Sequence, residues 1–232
     1  MQQTIAGNPV FDGLDSCVVS DALDSLGGTG RGGVADGLRP LWEGARLAGR
    51  VITVRLAAGR TPPGRPPVHL GVRAIFESDP GDVIVVESAR HVGVGSWGGL
   101  LSNAARQAGV AGVVTGGECR DVDESRLLGF PVFGRGSAVR TARGRIHEAS
   151  TGERIGVGGV DVASGDYVIA DGSGVVFVPA EAVVKVIEVA RGLVDKEAGL
   201  LRRLAAGESL PSVLGVSYEA MIEEAVHDED QR

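Results

Sequence analysis

The residues best suited to do chemistry lie together near the middle of the chain. An apolar run, 112–115, is followed by two glycines and then by the segment 118–124, which reads ECRDVDE. Arg120 offers a planar cation that can bind a carboxylate, and Asp121 offers hard oxygens to a divalent cation. Such a pair could hold a chelating oxoacid. A local salt bridge or a helix cap is the structural alternative.

The residues after Asp121 add a second candidate ligand. If a helix begins at Val122, Glu124 lies one turn from Asp121 and can face the same ion. Asp123 then points elsewhere, and we expect it to be solvated.

The elements that must position these residues follow a strand, loop, helix, strand order. They are a buried strand at 83–87, a glycine-rich loop at 93–99, a helix at 100–108 and a strand at 112–115. This order is typical of a βαβ-like unit, in which ligands collect beyond the carboxyl ends of the strands. We therefore expect the start of the helix, near Gly99, to lie close to Arg120.

The rest of the chain predicts one α/β domain over 1–232, with a core at about 12–207, a C-terminal amphipathic helix and a tail at 208–232. The further predicted elements are helices at 16–26, 68–77 and 182–206, a strand at 48–56, a proline-rich loop at 59–67, and short strands at 155–157, 166–170 and 175–178.

The composition narrows the class of protein. Hydrophobic residues make up 43% of the 232 residues but aromatics only 4%, which favours a core of Val, Ala, Leu and Ile around covered sheets. The net charge of -7 and the lack of a basic run argue against nucleic acid. The chain has no apolar stretch of the ~20 residues that span a membrane. Because Cys17 and Cys119 are far apart and no leader precedes them, we predict reduced thiols in a soluble, cytoplasmic protein.

The histidines, Cys119 and Trp97 are reactive or ligand-binding residue types, but their positions predict no catalytic or metal-binding role. The four histidines show no metal-ligand spacing, and we expect surface or loop positions for them: His69, His91, His147 and His227. His91 precedes the glycine loop and is the one that we would test. Cys119 and Trp97 are expected to be packed side chains.

Taken in order, the motifs resemble those of the RraA-like family over about 12–207. This family includes 4-hydroxy-4-methyl-2-oxoglutarate aldolases and proteins named as regulators of ribonuclease activity. The matching segments are 20–23, 44–49, 80–82, 98–101, 112–114, 117–124, 128–133, 158–160 and 171–176.

The resemblance implies a β/β/α core, assembled as a trimer or a pair of trimers with active sites between subunits. It implies that Asp121 binds the metal and that Arg120 binds the substrate carboxylate. The amides of the substrate loop are implied to face the oxoacid: Gly98, Gly99, Leu100 and Leu101. A glutamate on the neighbouring subunit's C-terminal helix, mapped to Glu197, would steady a metal-bound water.

The chain departs from the best-studied aldolases at Gly99, where they carry an acidic residue. Some family members share this glycine and keep an acid three residues after the motif aspartate, which is Glu124 here. The predicted ligands of Mg²⁺ or Mn²⁺ are therefore Asp121, Glu124 and Glu197, and the predicted catalytic residues are Arg120, Asp121 and Glu124. Efficient aldol cleavage is the activity that this departure weakens most.

The predicted function is metal-dependent carbon-carbon lysis of a small 2-oxoacid through a pyruvate enolate. Either aldol cleavage of 4-hydroxy-4-methyl-2-oxoglutarate or decarboxylation of oxaloacetate fits. The alternative is a non-enzymatic regulator that binds a ribonuclease. A quinone methyltransferase, a third label used in this family, is disfavoured because the glycine loop lacks the dinucleotide-type pattern.

Overall fold

A computed structural model of the protein describes residues 6–7, 9–28, 30–64, 68–88 and 93–214. His91 and His227 lie outside these residues. The helices are α1 (Ser16–Ser25), α2 (Val72–Glu77), α3 (Gly99–Gln107), α4 (Val122–Leu127), α5 (Val183–Ala205) and α6 (Leu210–Val213). The strands are β1 (Ala6–Gly7), β2 (Gly33–Val34), β3 (Arg39–Pro40), β4 (Leu47–Ala58), β5 (Val83–Glu87), β6 (Gly95–Trp97), β7 (Gly112–Thr115), β8 (Glu118–Cys119), β9 (Val132–Gly134), β10 (Gly136–Ser137), β11 (Ile146–Thr151), β12 (Ile155–Val157), β13 (Val160–Val162), β14 (Tyr167–Ala170) and β15 (Val175–Val178).

The main sheet of the described residues has ten strands, in the order β2-β15-β14-β4-β5-β7-β9-β3, with β1 and β11 also paired to β4. The strands β4, β5, β7 and β9 run parallel to one another. The strand β14 runs antiparallel to both of its neighbours, β4 and β15. The long strand β4 joins the two parts. It pairs with β14 along its first half and with β5 along its second half.

The two faces of this sheet are covered by different layers. Successive side chains of a strand point to opposite faces. In β5, Val83 and Val85 pack with the β12–β13 hairpin, whereas Ile84 and Val86 pack under the helices. The molecule is thus a hairpin, a sheet and a helical layer, which confirms the predicted β/β/α fold.

The helical layer consists of two groups. The helices α1 and α5 pack against each other over β14 and β15. The helices α2 and α3 cover the half of the sheet that contains β5 and β7, and α4 packs on α3. The last buried residue of α5 is Leu193, so the second half of this helix carries no buried side chain.

The predicted βαβ unit is present with additions that the sequence did not predict. The glycine loop 93–99 contains β6, and β8 follows the turn after β7; both belong to a small sheet in the order β10-β8-β6. Glycine-rich segments carry no alternating pattern, so only the tertiary pairing defines these strands. The polar strand β11 was also not predicted. Only its first residue is buried, and a bulge between Glu148 and Ser150 interrupts its pairing with β4, so its sequence shows no regular alternation.

Two predicted boundaries need correction. The helix expected from 68 begins at Val72, because Gly71 has a φ of 79°, a left-handed conformation that does not continue a helix. The predicted tail at 208–232 begins with α6, whose Val213 is buried. Residues 215–232 lie outside the part of the chain that the structure describes. None of the helices within that part is long and apolar enough to cross a membrane.

Candidate active site

A cavity of about 130 Å³ lies beyond the carboxyl ends of β5 and β7, where the small sheet meets α3. It has room for about four waters at ~30 Å³ each, which suits a small organic anion. The cavity is lined by His69, Leu70, Gly95, Trp97, Gly98, Gly99, Leu100, Leu101, Arg120, Asp121, Thr141 and Ala142. Five of the predicted site residues therefore share one cavity with Asp121.

Asp121 has an unusual backbone conformation. It is the only described residue other than glycine with a positive φ, at 57°. It immediately precedes α4, yet its side chain makes no capping hydrogen bond to that helix. Its Oδ2 instead accepts a hydrogen bond of 3.0 Å from the Gly99 amide. Asp121 therefore does not cap its own helix, and its carboxylate instead accepts the first amide of α3. Strained backbone of this kind, which costs ~1–3 kcal/mol, concentrates at functional sites.

Arg120 lies beside Asp121 without a close ion pair. Its Nη2 is 3.9 Å from Asp121 Oδ1, and both side chains are about two-fifths exposed. An exposed pair at this distance adds little stability. The Arg120 amide donates to the Trp97 carbonyl at 2.8 Å, and a Cβ added to Gly95 would overlap the Arg120 side chain. The aliphatic part of Arg120 thus packs on a glycine, and the guanidinium remains free to bind an anion.

Glu124 occupies the space that a side chain at position 99 would fill. A Cβ added to Gly99 would overlap Glu124 Oε2. The other carboxylate oxygen accepts a hydrogen bond of 2.8 Å from Asn103 Nδ2, which also donates to the Gly99 carbonyl at 3.1 Å. The acid at 124 therefore reaches, from α4, the space beside the first residue of α3.

The first turn of α3 supplies unpaired backbone donors. The first amides of a helix have no acceptor within it, and they carry the positive end of the helix dipole. At the start of α3 the Gly99 amide is bonded to Asp121, and the next residues, Leu100 and Leu101, line the cavity. The Leu101 side chain is in the core, whereas that of Leu100 is exposed. The amides of Leu100 and Leu101 are thus the polar groups that this turn could offer to a bound anion.

A buried chain of hydroxyls holds α3 against α4 behind the cavity. Trp97 Nε1 donates to Ser102 Oγ at 3.1 Å, and Ser102 Oγ lies 3.0 Å from Ser125 Oγ. Ser125 in turn donates to the Asp121 carbonyl at 3.4 Å through its hydroxyl and at 3.1 Å through its amide. Trp97 is therefore a packed side chain, as predicted. It also helps to fix the backbone of Asp121.

The carboxylates near the cavity fit a hard divalent cation only in part. No cluster of three or more His, Cys, Asp or Glu side chains occurs among the described residues. Asp121 and Glu124 both approach the Gly98–Gly99 turn, and Mg²⁺ is commonly held by one or two carboxylates with water completing its shell. The predicted third ligand, Glu197, lies on the exposed half of α5 and does not join them within one chain.

Cys119 and Asp123 have the environments that the sequence predicted, whereas His69 does not. Cys119 is buried, and this burial raises the pKa of its thiol well above the usual range, so the neutral thiol is a packing group. Asp123 is 93% exposed, as expected for a solvated residue. His69 was expected to be an ordinary loop residue but lines the cavity. No sequence signal near His69 indicated this position, because the loop is brought to the site only by the tertiary fold.

A second cavity, of about 340 Å³, lies between the proline-rich loop and β11. It is lined by polar and charged side chains that include Arg73, Glu148 and Glu153. Glu148 is already bonded to the Gly71 amide and the Thr151 hydroxyl. Its carboxylate therefore holds the backbone, and we place the candidate active site at the cavity of Arg120 and Asp121.

The three-layer fold and the Arg-Asp cavity define the class of protein, and comparison with known proteins agrees. A family model described as RraA-like, Aldolase/RraA, matches residues 16–177, and the chain belongs to this RraA-like family.

Individual relatives extend this comparison. A protein of Halalkalibacterium halodurans named "Putative 4-hydroxy-4-methyl-2-oxoglutarate aldolase" is 30% identical over 170 residues, which cover 73% of this chain and 74% of the relative. An uncharacterized protein from Pseudomonas syringae superposes with a TM-score of 0.76 at 27% identity, over 91% of this chain and 99% of the other. RraAS2 of Streptomyces coelicolor, described as an unusual member of the RNase ES inhibitor RraA family, shares the fold with a TM-score of 0.71 at 24% identity. That superposition covers 84% of this chain and 97% of the other.

Proposed function

We propose that this protein is a divalent-metal-dependent carbon-carbon lyase that acts on small 2-oxoacids. The observation that carries the proposal is the conformation of Asp121. Its left-handed backbone turns the carboxylate away from its own helix and onto the start of α3, beside a free guanidinium in a small cavity. The similarity to a relative named as an aldolase supports the same class of reaction.

The groups that line the cavity, and Glu124 beside it, have roles that follow from their chemistry. Arg120 binds the substrate carboxylate, because its guanidinium is accessible and is not held by a close counter-ion. Asp121 and Glu124 would hold Mg²⁺ or Mn²⁺, and the bound cation would supply Lewis acidity to the keto group. The amides of Leu100 and Leu101 donate to the oxygen that becomes negative during cleavage.

Two reactions share this arrangement because both leave a pyruvate enolate. In aldol cleavage of a 4-hydroxy-2-oxoacid, the electrons of the C3–C4 bond pass to the enolate. In decarboxylation of oxaloacetate, the C4 carboxylate leaves as carbon dioxide, and the electrons of the C3–C4 bond likewise pass to the enolate. No lysine lines the described cavity, so the chemistry proposed here does not pass through a Schiff base.

The test measures pyruvate formation from oxaloacetate and from 4-hydroxy-4-methyl-2-oxoglutarate, with and without Mg²⁺ or Mn²⁺. Asp121→Asn is the informative variant, because Asn tolerates the left-handed backbone while losing the charge. We expect it and Arg120→Ala to lower kcat/KM by about 10²-fold or more. Asp123→Asn is the matched control, since that carboxylate is solvated, and it should retain full activity. Undiminished turnover in both Asp121→Asn and Arg120→Ala would refute the assignment.

The alternative function is binding of a ribonuclease as a regulator, with which the net charge of -7 and membership of the Aldolase/RraA family are compatible. A regulator of this kind needs neither a cation nor Arg120. If the protein forms no pyruvate under any cation condition but inhibits a ribonuclease equally well with Asp121→Asn, this second function replaces the first.

We also propose that the protein works as a homotrimer or hexamer in which Glu197 of one subunit approaches the cavity of another. The second half of α5 supports this assembly, since it has no buried side chain among the described residues and its exposed surface is available to a neighbour.

A further inference from the structure

His69 reaches the cavity on a segment that is anchored by the residues immediately after it. Leu70, the next residue, is 8% exposed and packs in the core. The amide of Gly71 donates to Glu148 Oε2 at 2.8 Å. The imidazole itself is exposed, so it can exchange protons with water. A side chain held in this way keeps its place at the cavity without being buried.

The hydrogen bond of the ring defines its tautomer. His69 Nδ1 lies 3.1 Å from the Leu70 carbonyl oxygen, and a carbonyl can only accept. Nδ1 therefore carries the proton. In the neutral ring Nε2 is then left with a lone pair that can accept a proton.

The cavity has few other groups that could act as a base. Its titratable lining residues are His69, Arg120 and Asp121. Arg120 has no acceptor atom. The Asp121 carboxylate accepts a hydrogen bond from the Gly99 amide and would hold the cation, so it is not available as a base. Aldol cleavage nevertheless requires that a proton leave the C4 hydroxyl as the C3–C4 bond breaks.

We propose that His69 is the general base for aldol cleavage at this site, an inference that rests on the proposed function. Nε2 takes the proton of the C4 hydroxyl, the C4–O bond becomes a carbonyl, and the C3–C4 electron pair forms the enolate. The imidazolium keeps its Nδ1 proton, which remains hydrogen-bonded to the Leu70 carbonyl oxygen. It then returns the Nε2 proton to C3, which yields pyruvate with no net proton change.

The two substrates separate this role from the rest of the site. Oxaloacetate has no hydroxyl proton to remove, so its decarboxylation needs Arg120 and the cation site but no base, and the resulting enolate takes its C3 proton from water. We expect His69→Gln to lower kcat for 4-hydroxy-4-methyl-2-oxoglutarate by about 10²-fold or more, while oxaloacetate turnover stays within about threefold. His147→Gln is the matched control, because His147 also bonds a backbone carbonyl through Nδ1 but does not line the cavity.

Chemical rescue gives a second readout that a structural role would not produce. Added imidazole should restore aldol cleavage to His69→Ala and leave oxaloacetate turnover unchanged. Equal losses on both substrates, no loss on either, or no rescue would overturn the role of His69. Failure of the unmodified protein on both substrates would instead refute the proposed function, and this inference with it.

Discussion

At the scale of single residues, the site depends on glycines as much as on charged groups. Gly95 leaves room for the Arg120 side chain, and Gly99 leaves room for Glu124. The absence of an acid at position 99 therefore creates the space that Glu124 fills from the next helix. A side chain at position 99 would overlap the Glu124 carboxylate where it now lies, so one of the two would have to move.

This exclusion predicts the outcome of an exchange. Gly99→Asp alone should reduce pyruvate formation and cation affinity, because the new carboxylate meets Glu124 in the same space. Adding Glu124→Ala should recover much of the loss, with a coupling of ~1–3 kcal/mol between the two sites. This coupling is measured by turnover assays and by calorimetric titration with Mn²⁺, on the two single variants and the double variant. Strictly additive effects would show that the two positions do not share one place.

At the scale of elements, a buried carboxylate anchors α1 to the sheet. Asp171 follows β14, and its two oxygens accept the amide and hydroxyl of Ser16 at 2.8 and 2.7 Å. Its Oδ1 also accepts the Ser173 amide at 2.9 Å. Burial alone would raise the pKa of Asp171, but these hydrogen bonds and the Arg46 charge together outweigh it and hold the pKa below its usual 3.8.

The lowered pKa gives stability a defined pH dependence. A depressed folded-state pKa adds stability above 3.8, and this contribution is lost as the pH falls through the lower folded value. Asp171→Asn should therefore lower the free energy of unfolding at neutral pH by about 1–3 kcal/mol, and the difference should shrink below pH 3.8. Urea unfolding at a series of pH values checks this, with the exposed Asp12→Asn as control. A difference that is independent of pH would contradict it.

At the scale of the whole molecule, the proposed cation site draws on two carboxylates of one chain. Among the described residues, Asp121 and Glu124 have no third acidic or histidine partner for a cation. The C-terminal half of α5 carries Glu197 and the exposed Leu201, and within the part of the chain that the structure describes it has no buried side chain, although α6 packs beside it. Assembly would give this half of the helix a partner and bring a further carboxylate towards the cavity.

Self-association predicts a measurable mass. Sedimentation should give three or six times 23.8 kDa for the unmodified protein. Leu201→Glu should shift it towards the monomer, because a charge replaces an apolar contact on the proposed interface. Val184→Glu is the control on the same helix, since Val184 is also exposed but lies on the half that packs in its own chain. A monomeric unmodified protein, or equal effects of both variants, would refute this assembly.

Much of the fold followed from local pattern. The buried strands β4, β5, β7, β14 and β15 and the helices α1, α3 and α5 were predicted within a few residues, since apolar periodicity is strong in each. The short strands β6 and β8 were not predicted. Their glycine-rich and polar residues have no periodicity, and they become strands only through pairing in the small sheet β10-β8-β6.

The sequence by itself determined the chemical groups of the site and the order of the elements that hold Arg120, Asp121 and Glu124. The amino acid types fix which atoms can bind a carboxylate or a cation, and the βαβ order brings Gly99 near Asp121. Only the tertiary structure decided that Asp121 turns away from its own helix, that Glu124 fills the space at Gly99, and that His69 reaches the cavity. These contacts join residues that are far apart in the chain or depend on one backbone torsion, and local pattern carries no information about either.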